Sequence, residues 1–330
     1  MSGLSFEKDK QVIVGVGSAL VDMLAREDDA FLEKLGVEKG GMNLVESDYI
    51  EELVAQIENP SGIVPGGSAC NTAIGVGMLG GRARFVGKLG QDQLGTMFRD
   101  DLKKNHVEPV LFSSELPTGR VLSVITPDAQ RSMFTYLGAA SELKPEEVTP
   151  ECFEHAAIVH VEGYLLFNRD LMIATIKAAK AAGARVSLDL ASFNVVEESK
   201  DLLDQIIAGY IDILIANEDE AEAYTGYRDE EKALAALAKN VEMAVLKIGP
   251  RGSLVACGNE KKIIEPLVCP NALDSTGAGD LWAAGFLYGL VQGLPIEKSG
   301  ELASACGSEV CQVVGANIPE NGWERIRQLK

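Results

Sequence analysis

The stretch Asp274-Ser275-Thr276-Gly277-Ala278-Gly279-Asp280 runs straight into an apolar helical segment, Leu281 to Val291. Two closely spaced glycines let the backbone turn tightly and present its N–H groups to an anion. The helix behind adds unsatisfied amides and the positive end of its dipole. A carboxylate at Asp280 makes little sense there as a phosphate ligand. It makes good sense as a base that deprotonates a hydroxyl attacking a phosphate, while the N–H groups of Ala278, Gly279 and Asp280 hold charge on the transferred group. The same spacing also suits a plain Gly-rich helix start, with Thr276 as the cap and Asp280 complementing the dipole.

Three further clusters offer chemistry. Pro65-Gly66-Gly67-Ser68-Ala69-Cys70-Asn71 opens a second helix. Gly66 and Gly67 let a ligand approach the backbone, and Asn71 offers both a donor and an acceptor to neighbouring hydroxyls, as a polyol requires. A helix start simply capped by Ser68 is the alternative. At Asn217-Glu218-Asp219-Glu220 an apolar run, Ile211 to Ala216, ends in a polar cluster, and ligands of open α/β sheets bind at the carboxyl ends of strands. A solvated acidic helix start accounts for the same residues. If Arg131 to Thr135 is a strand, Arg131, Met133 and Thr135 share one face, a combination suited to a phosphate beside a flat or apolar group. Phe134 then turns outward with Tyr136, to pack beneath a lid or clasp a second copy, and a solvated edge strand remains the competing account.

The loop at 274 to 280 and the turn at 65 to 71 resemble the two signatures of the PfkB (ribokinase and adenosine kinase) family of sugar and nucleoside kinases. The resemblance extends over residues 12 to 330, because the motifs follow in the family's order. It implies that Asp280 is the catalytic base, with Gly277, Ala278 and Gly279 forming the anion loop, and that Asp22, Gly66, Gly67 and Asn71 bind substrate hydroxyls. Asn217 and Glu220 correspond to the family's NxxE element, which organises Mg2+ and phosphate, commonly through water. Hard oxygen ligands suit a hydrated Mg2+. Lys247-Ile248-Gly249-Pro250-Arg251-Gly252 resembles the nucleotide-side turn, in which Gly249 and Gly252 would let ATP pass near the backbone and Lys247 would meet phosphate. Asp274, Thr276 and carbonyls near Val310 to Gly315 resemble a monovalent cation (K+) site. Gln130-Arg131-Ser132-Met133 resembles the adenosine kinase branch, where the Arg reaches the phosphoryl group. The implied activity is ATP-dependent phosphorylation of a primary hydroxyl, adenosine-kinase-like first and ribokinase- or fructokinase-like next. A nucleoside or nucleotide sensor on the same fold is the alternative of another class.

These residues need a scaffold. Val12 to Gly17 is a β-branched run bounded by glycines and reads as a buried strand. Residues 22 to 46 mix charge, glycine and short apolar pieces and read as an insertion. Helical pattern covers Asp48 to Ile57, Ser68 to Leu79 and Gln93 to Asn105, with a strand at Arg84 to Leu89. Val121 to Leu137 lacks a helical period and reads as a hairpin around Pro127-Asp128. Strands are then expected at 157–161, 185–190, 212–216 and 243–248, with helices at 169–182, 199–208, 218–225 and 229–239. That alternation predicts an α/β fold with a mostly parallel sheet covered on both faces. Resemblance implies the three-layer ribokinase-like version, one domain over 1–330 with a small β lid from about 18–47 and 108–140.

Composition narrows the classes. A net charge of -19 repels polyanions, so nucleic acid is not an expected partner. The six cysteines show no CxxC pair and fit reduced thiols in the cytoplasm. The first ten residues are polar, the run Val12 to Val16 is too short for a signal core, and no window suits a membrane span, so a cytoplasmic enzyme acting on a small molecule is expected. Gly15-Val16-Gly17 begins like a dinucleotide fingerprint, but Leu20 stands at the third glycine position. No GxxxxGK[ST] occurs, which excludes a P-loop kinase. Pairing of exposed lid strands would shield their edges and give a homodimer.

Overall fold

The computed structural model describes every residue except 1–3, 5, 38, 40, 58, 59, 129 and 270, and every described side chain save those of 60 and 61. In chain order the strands are β1 (Val12–Val16), β2 (Leu20–Arg26), β3 (Met42–Leu44), β4 (Pro60–Gly66), β5 (Arg82–Gly90), β6 (Val107–Ser114) and β7 (Gly119–Ile125). They continue with β8 (Arg131–Tyr136), β9 (Ala156–Glu162), β10 (Arg185–Asp189), β11 (Ile213–Asn217), β12 (Met243–Lys247), β13 (Ser253–Cys257) and β14 (Glu260–Ile264). Nine of them form one sheet in the order β14-β13-β12-β11-β10-β9-β1-β5-β6. It is parallel from β12 to β6, with an antiparallel hairpin, β13 and β14, on its far edge.

Helices cover both faces, which is why the central strands are apolar on both sides. The first six helices are α1 (Asp29–Leu35), α2 (Ser47–Val54), α3 (Ser68–Met78), α4 (Gln93–Lys104), α5 (Arg169–Ala181) and α6 (Phe193–Glu198). The rest are α7 (Lys200–Gly209), α8 (Glu218–Thr225), α9 (Glu230–Leu237), α10 (Ala278–Val291), α11 (Ile296–Val310) and α12 (Glu320–Arg327). In β1, Ile13 joins a core with Phe85, Phe98, Leu281, Leu302 and Trp323. Its neighbours Val12, Val14 and Val16 join the opposite core with Leu171, Ile176, Leu202 and Leu234. The result is the expected α/β fold with a large, mostly parallel sheet between two helical layers.

The second sheet has five strands in the order β3-β8-β7-β2-β4. It draws on residues 20–66 and 119–136, whereas the expected lid segments were 18–47 and 108–140. The difference has a physical source. Strand β6 continues the parallel main sheet beside β5, and β4 is a strand although Pro60, Gly62, Pro65 and Gly66 all argue against one. The segment read as an irregular insertion holds β2, α1 and β3. Helices α1 and α2 close the outer face of this sheet, where Leu32, Ile50 and Leu53 meet Ala25, Leu122, Val124 and Phe134. Phe134 is 0% exposed, and Tyr136 packs beside it. Both therefore pack beneath the lid helices, and Phe134 is not available as a clasp.

Candidate active site

The parallel strands end in a row of polar side chains. Glu162 closes β9 and Asp189 closes β10, paired in register. Asn217 closes β11 and Lys247 closes β12, again in register. The inner face of the lid sheet stands opposite. Between them lies a cavity of about 820 Å3 whose lid wall is built from alternate residues: Met42 and Leu44 of β3, Leu20 and Asp22 of β2, Val121 of β7, and Arg131, Met133 and Thr135 of β8. The period-2 reading of β8 therefore holds.

Helix α10 starts at the cavity floor. Its N-cap is Gly277, at φ +74, and a side chain there would meet the Ala316 Cβ at 2.6 Å. Thr276 is thus not the cap. Gly277, Ala278, Gly279 and Asp280 all reach the cavity. The Asp280 carboxylate is held from α3: the Ser68 hydroxyl donates to Oδ1 at 2.8 Å and the Asn71 amide to Oδ2 at 2.9 Å. Ser68 itself caps nothing, since α3 has Gly67 at its N-cap without a side-chain bond. Burial raises the Asp280 pKa, the hydrogen bonds from Asn71 and Ser68 work against that rise, and the Asp189 charge adds to it.

Asp22 stands across the cavity and is 6% exposed. Burial pushes its pKa up to about 6, opposed by Arg131 and reinforced by the charges of Asp280 and Asp274. Gly66 makes room for it, because a Cβ there would lie 2.5 Å from Asp22 Cγ. Gly66 serves Asp22 in this way, while Gly67 borders the cavity.

Lys247 and Asp189 form an ion pair at 2.7 Å. Burial opposes both charges. The pair outweighs it, lifting Lys247 above the usual lysine value and holding Asp189 below the usual carboxylate range. A Cβ on Gly279 would stand 3.0 Å from Lys247 Nζ, so the ammonium sits against the loop at the start of α10. Asn217 and Glu220 form a capping box for α8: the Glu220 N–H donates to Asn217 Oδ1 at 2.9 Å, and the Asn217 N–H and amide donate to the two Glu220 carboxylate oxygens at 2.7 Å each. Burial, then the Asp189 charge, raises the Glu220 pKa.

Four expected residues stand away from this wall. Gly249 and Gly252 lie in the turn that joins β12 to β13. Gly252 has φ +97, and any side chain there would overlap the Ile264 carbonyl oxygen, so its glycine answers a packing need. Asp274 is buried inside its own loop. Its Oδ1 accepts from the Thr276 N–H at 2.9 Å and hydroxyl at 2.6 Å, and its Oδ2 accepts from the Gly315 N–H at 2.8 Å. Thr276 is buried with it.

Several residues at the cavity had no place in the sequence reading. Glu162 is 1% exposed and accepts from the N–H groups of Ser18 at 2.7 Å and Ala69 at 3.1 Å. It thereby ties the start of the lid to the start of α3. Burial pushes its pKa up to about 7 against those two N–H bonds. Tyr164 and Phe167 supply aromatic surface to the cavity, which Leu137 and Leu143 also line, and Phe167 is 45% exposed. The usable signal was an acid closing an apolar strand, as in the runs ending at Glu162 and Asp189.

A model of the family described as pfkB family carbohydrate kinase matches residues 46–322. Among solved structures, adenosine kinase from Sinorhizobium meliloti is 34% identical with a TM-score of 0.92, covering 97% of this chain and 100% of that one. A probable sugar kinase from Rhizobium etli CFN 42 is 32% identical with a TM-score of 0.91, covering 97% and 98% respectively. A ribokinase of Arabidopsis thaliana is 31% identical over 76% of this chain and 68% of its own length.

Proposed function

Because the chain belongs to the pfkB family of carbohydrate kinases, phosphotransferases that act on hydroxyl groups, we propose that it transfers the γ-phosphoryl group of ATP to a primary hydroxyl of a nucleoside. The reading is adenosine-kinase-like, with Asp280 as the general base. One observation carries it: the Asp280 carboxylate, fixed by Ser68 and Asn71 at the start of α10, opens into the same cavity as Asp22, Arg131 and Lys247.

In this reading Asp22 and Asn71 bind ribose hydroxyls beside Gly67, and Met133, Thr135, Tyr164 and Phe167 enclose the base. Asp280 takes the proton from the attacking hydroxyl, and the amides of Ala278, Gly279 and Asp280 hold the charge that builds on the phosphoryl group. Arg131 from the lid and Lys247 from the sheet flank that group. The acid acts in its ionised form, which the hydrogen bonds from Asn71 and Ser68 favour against a burial that raises its pKa overall.

Mg2+, when bound, would neutralise charge on the nucleotide phosphates. The residues that fit it are Asn217 and Glu220, through water, since both Glu220 oxygens already accept hydrogen bonds within the protein. For K+, Asp274 Oδ1 already accepts twice from Thr276 and the Cys311 carbonyl accepts from Leu273 and Asp274, whereas Oδ2 accepts once, from the Gly315 N–H, and keeps acceptor capacity. No step is assigned to that ion.

The polar end of the cavity favours a second reading, a ribokinase- or fructokinase-type sugar kinase, since Asp22 and Asn71 suit any polyol. The open lid edges β3 and β4, with exposed Leu44 and Ile63, suit a homodimer. All six cysteines are free, as suits the reducing cytoplasm, and among the described residues no helix is long and apolar enough to cross a membrane. An ATP-consumption screen over adenosine, inosine, guanosine, cytidine, ribose, fructose and fructose phosphates tests the reading. Adenosine is expected to give the fastest turnover; a preference for a free sugar selects the second reading, and no consumption with any alcohol overturns both.

A further inference from the structure

Asp280 is anchored by one face of one helix. Ser68, Asn71 and Thr72 sit at i, i+3 and i+4 on α3, so their side chains point the same way. The Ser68 hydroxyl donates to Oδ1 at 2.8 Å, the Asn71 amide to Oδ2 at 2.9 Å, and the Thr72 hydroxyl to the Asp280 backbone carbonyl at 3.1 Å. Gly75 continues this face one turn on. A Cβ there would lie 2.5 Å from the Ala284 Cβ and 2.8 Å from Leu281 Cδ1, so α3 meets α10 at a distance that only glycine permits. The pattern Ser68-x-x-Asn71-Thr72-x-x-Gly75 is therefore a continuous surface that sets the height and rotation of the first turn of α10.

We propose that Ser68 is a positioning residue for phosphoryl transfer, which with Asn71 fixes the Asp280 carboxylate in the orientation needed to meet the substrate hydroxyl. This rests on the reading of Asp280 as the base. Asn71 has a second task at the substrate hydroxyls, whereas the Ser68 side chain has Asp280 as its hydrogen-bond partner. A carboxylate held through both oxygens cannot rotate, and orientation is worth most when the reacting atoms must lie in line. Ser68 also favours the ionised form, as a donor to a carboxylate does. The other charged groups coupled to Asp280 are Asp189 and Lys247 from the sheet edge, Asp22 from the lid and Glu162 at the end of β9, while the buried Tyr164 and Cys70 stay neutral beside it. They stay in place when Ser68 is changed, so a change in the pH profile reports the lost hydrogen bond.

The test compares Ser68→Ala, Ser68→Thr and Asp280→Asn with the wild type, using the alcohol that the substrate screen selects. Ser68→Ala is expected to lower kcat by about tenfold to a hundredfold with little change in KM, and to move the acid limb of the kcat/KM profile upward by about one pH unit. Ser68→Thr keeps a hydroxyl and is expected to recover most of kcat. Melting temperatures separate these effects from a folding defect. A Ser68→Ala enzyme with wild-type kcat and acid limb, beside an inactive Asp280→Asn enzyme, overturns the proposal and leaves the base in place. So does a loss in Ser68→Ala that Ser68→Thr shares while the acid limb stays put. An active Asp280→Asn enzyme instead overturns the reading on which the proposal rests.

Discussion

Asp22 is kept in an environment that disfavours its charge, and Asp22→Asn should make that visible. Among the described residues no hydrogen bond reaches its carboxylate. Burial dominates, and its pKa rises from 3.8 to about 6. An acid raised in this way binds its proton more tightly in the folded state, so its favourable contribution is complete below pH 3.8 and is lost as the pH rises through about 6. At about 1.4 kcal/mol for each tenfold change in proton affinity, the ionised group costs the folded protein about 3 kcal/mol at pH 8. Asparagine has the same shape and no charge, so the variant avoids that cost. With an unfolding entropy of about 2.1 cal/mol/K per residue, or about 0.7 kcal/mol/K for this chain, the gain corresponds to about 4 °C in Tm. Thermal melting of both proteins without ligand at pH 4, 6 and 8 is the assay. The Tm difference should be near zero at pH 4, grow through pH 6 and reach its full value at pH 8. The same variant should lose turnover through a large rise in KM for the alcohol. A difference independent of pH, or an asparagine variant less stable at pH 8, would show that burial does not govern the Asp22 charge.

Other outcomes follow from the same geometry. Gly75→Val should push α3 off α10, lower stability by about 1–3 kcal/mol and reduce kcat further than the stability loss explains, measured by melting and turnover below Tm. Lys247→Met leaves Asp189 buried without its partner and should cost about 3–5 kcal/mol, with turnover lost as well. The double variant with Asp189→Asn should recover most of the stability in a denaturant titration and none of the turnover. Gly252→Ala, at φ +97 against the Ile264 carbonyl, should lower Tm while leaving KM for the alcohol unchanged.

Much of the site was legible because it is local. The loop at 274–280, Asn71 and the Arg131, Met133 and Thr135 face, all placed at the cavity, each lie within a few residues of chain, where glycine spacing and the 2.0 and 3.6 periods act. The residues that escaped are defined by distant partners. Glu162 meets Ser18 across 144 positions and Asp189 meets the expected Lys247 across 58, and no local pattern announces such pairs. Ser68 looked like a cap because serine before a helix usually is one, and only the packing of α3 on α10 turns its hydroxyl to Asp280. The lid was hardest to read. Its strands pair β2 with β7 and β3 with β8 from separate parts of the chain, and β4 carries proline and glycine that local propensity assigns to turns. Phe134 shows the same limit: alternation gave its face correctly, but only α1 and α2 decide that this face is dry.

Removal of the alcohol proton by Asp280 is the step on which the proposed transfer turns. Its most direct test is single-turnover transfer from ATP and Mg2+ to the selected alcohol by the wild type and by Asp280→Asn, with alcohol binding measured on both. The variant is expected to transfer more slowly by about two to four orders of magnitude with binding largely retained. Transfer within tenfold of the wild-type rate at equal binding would contradict it.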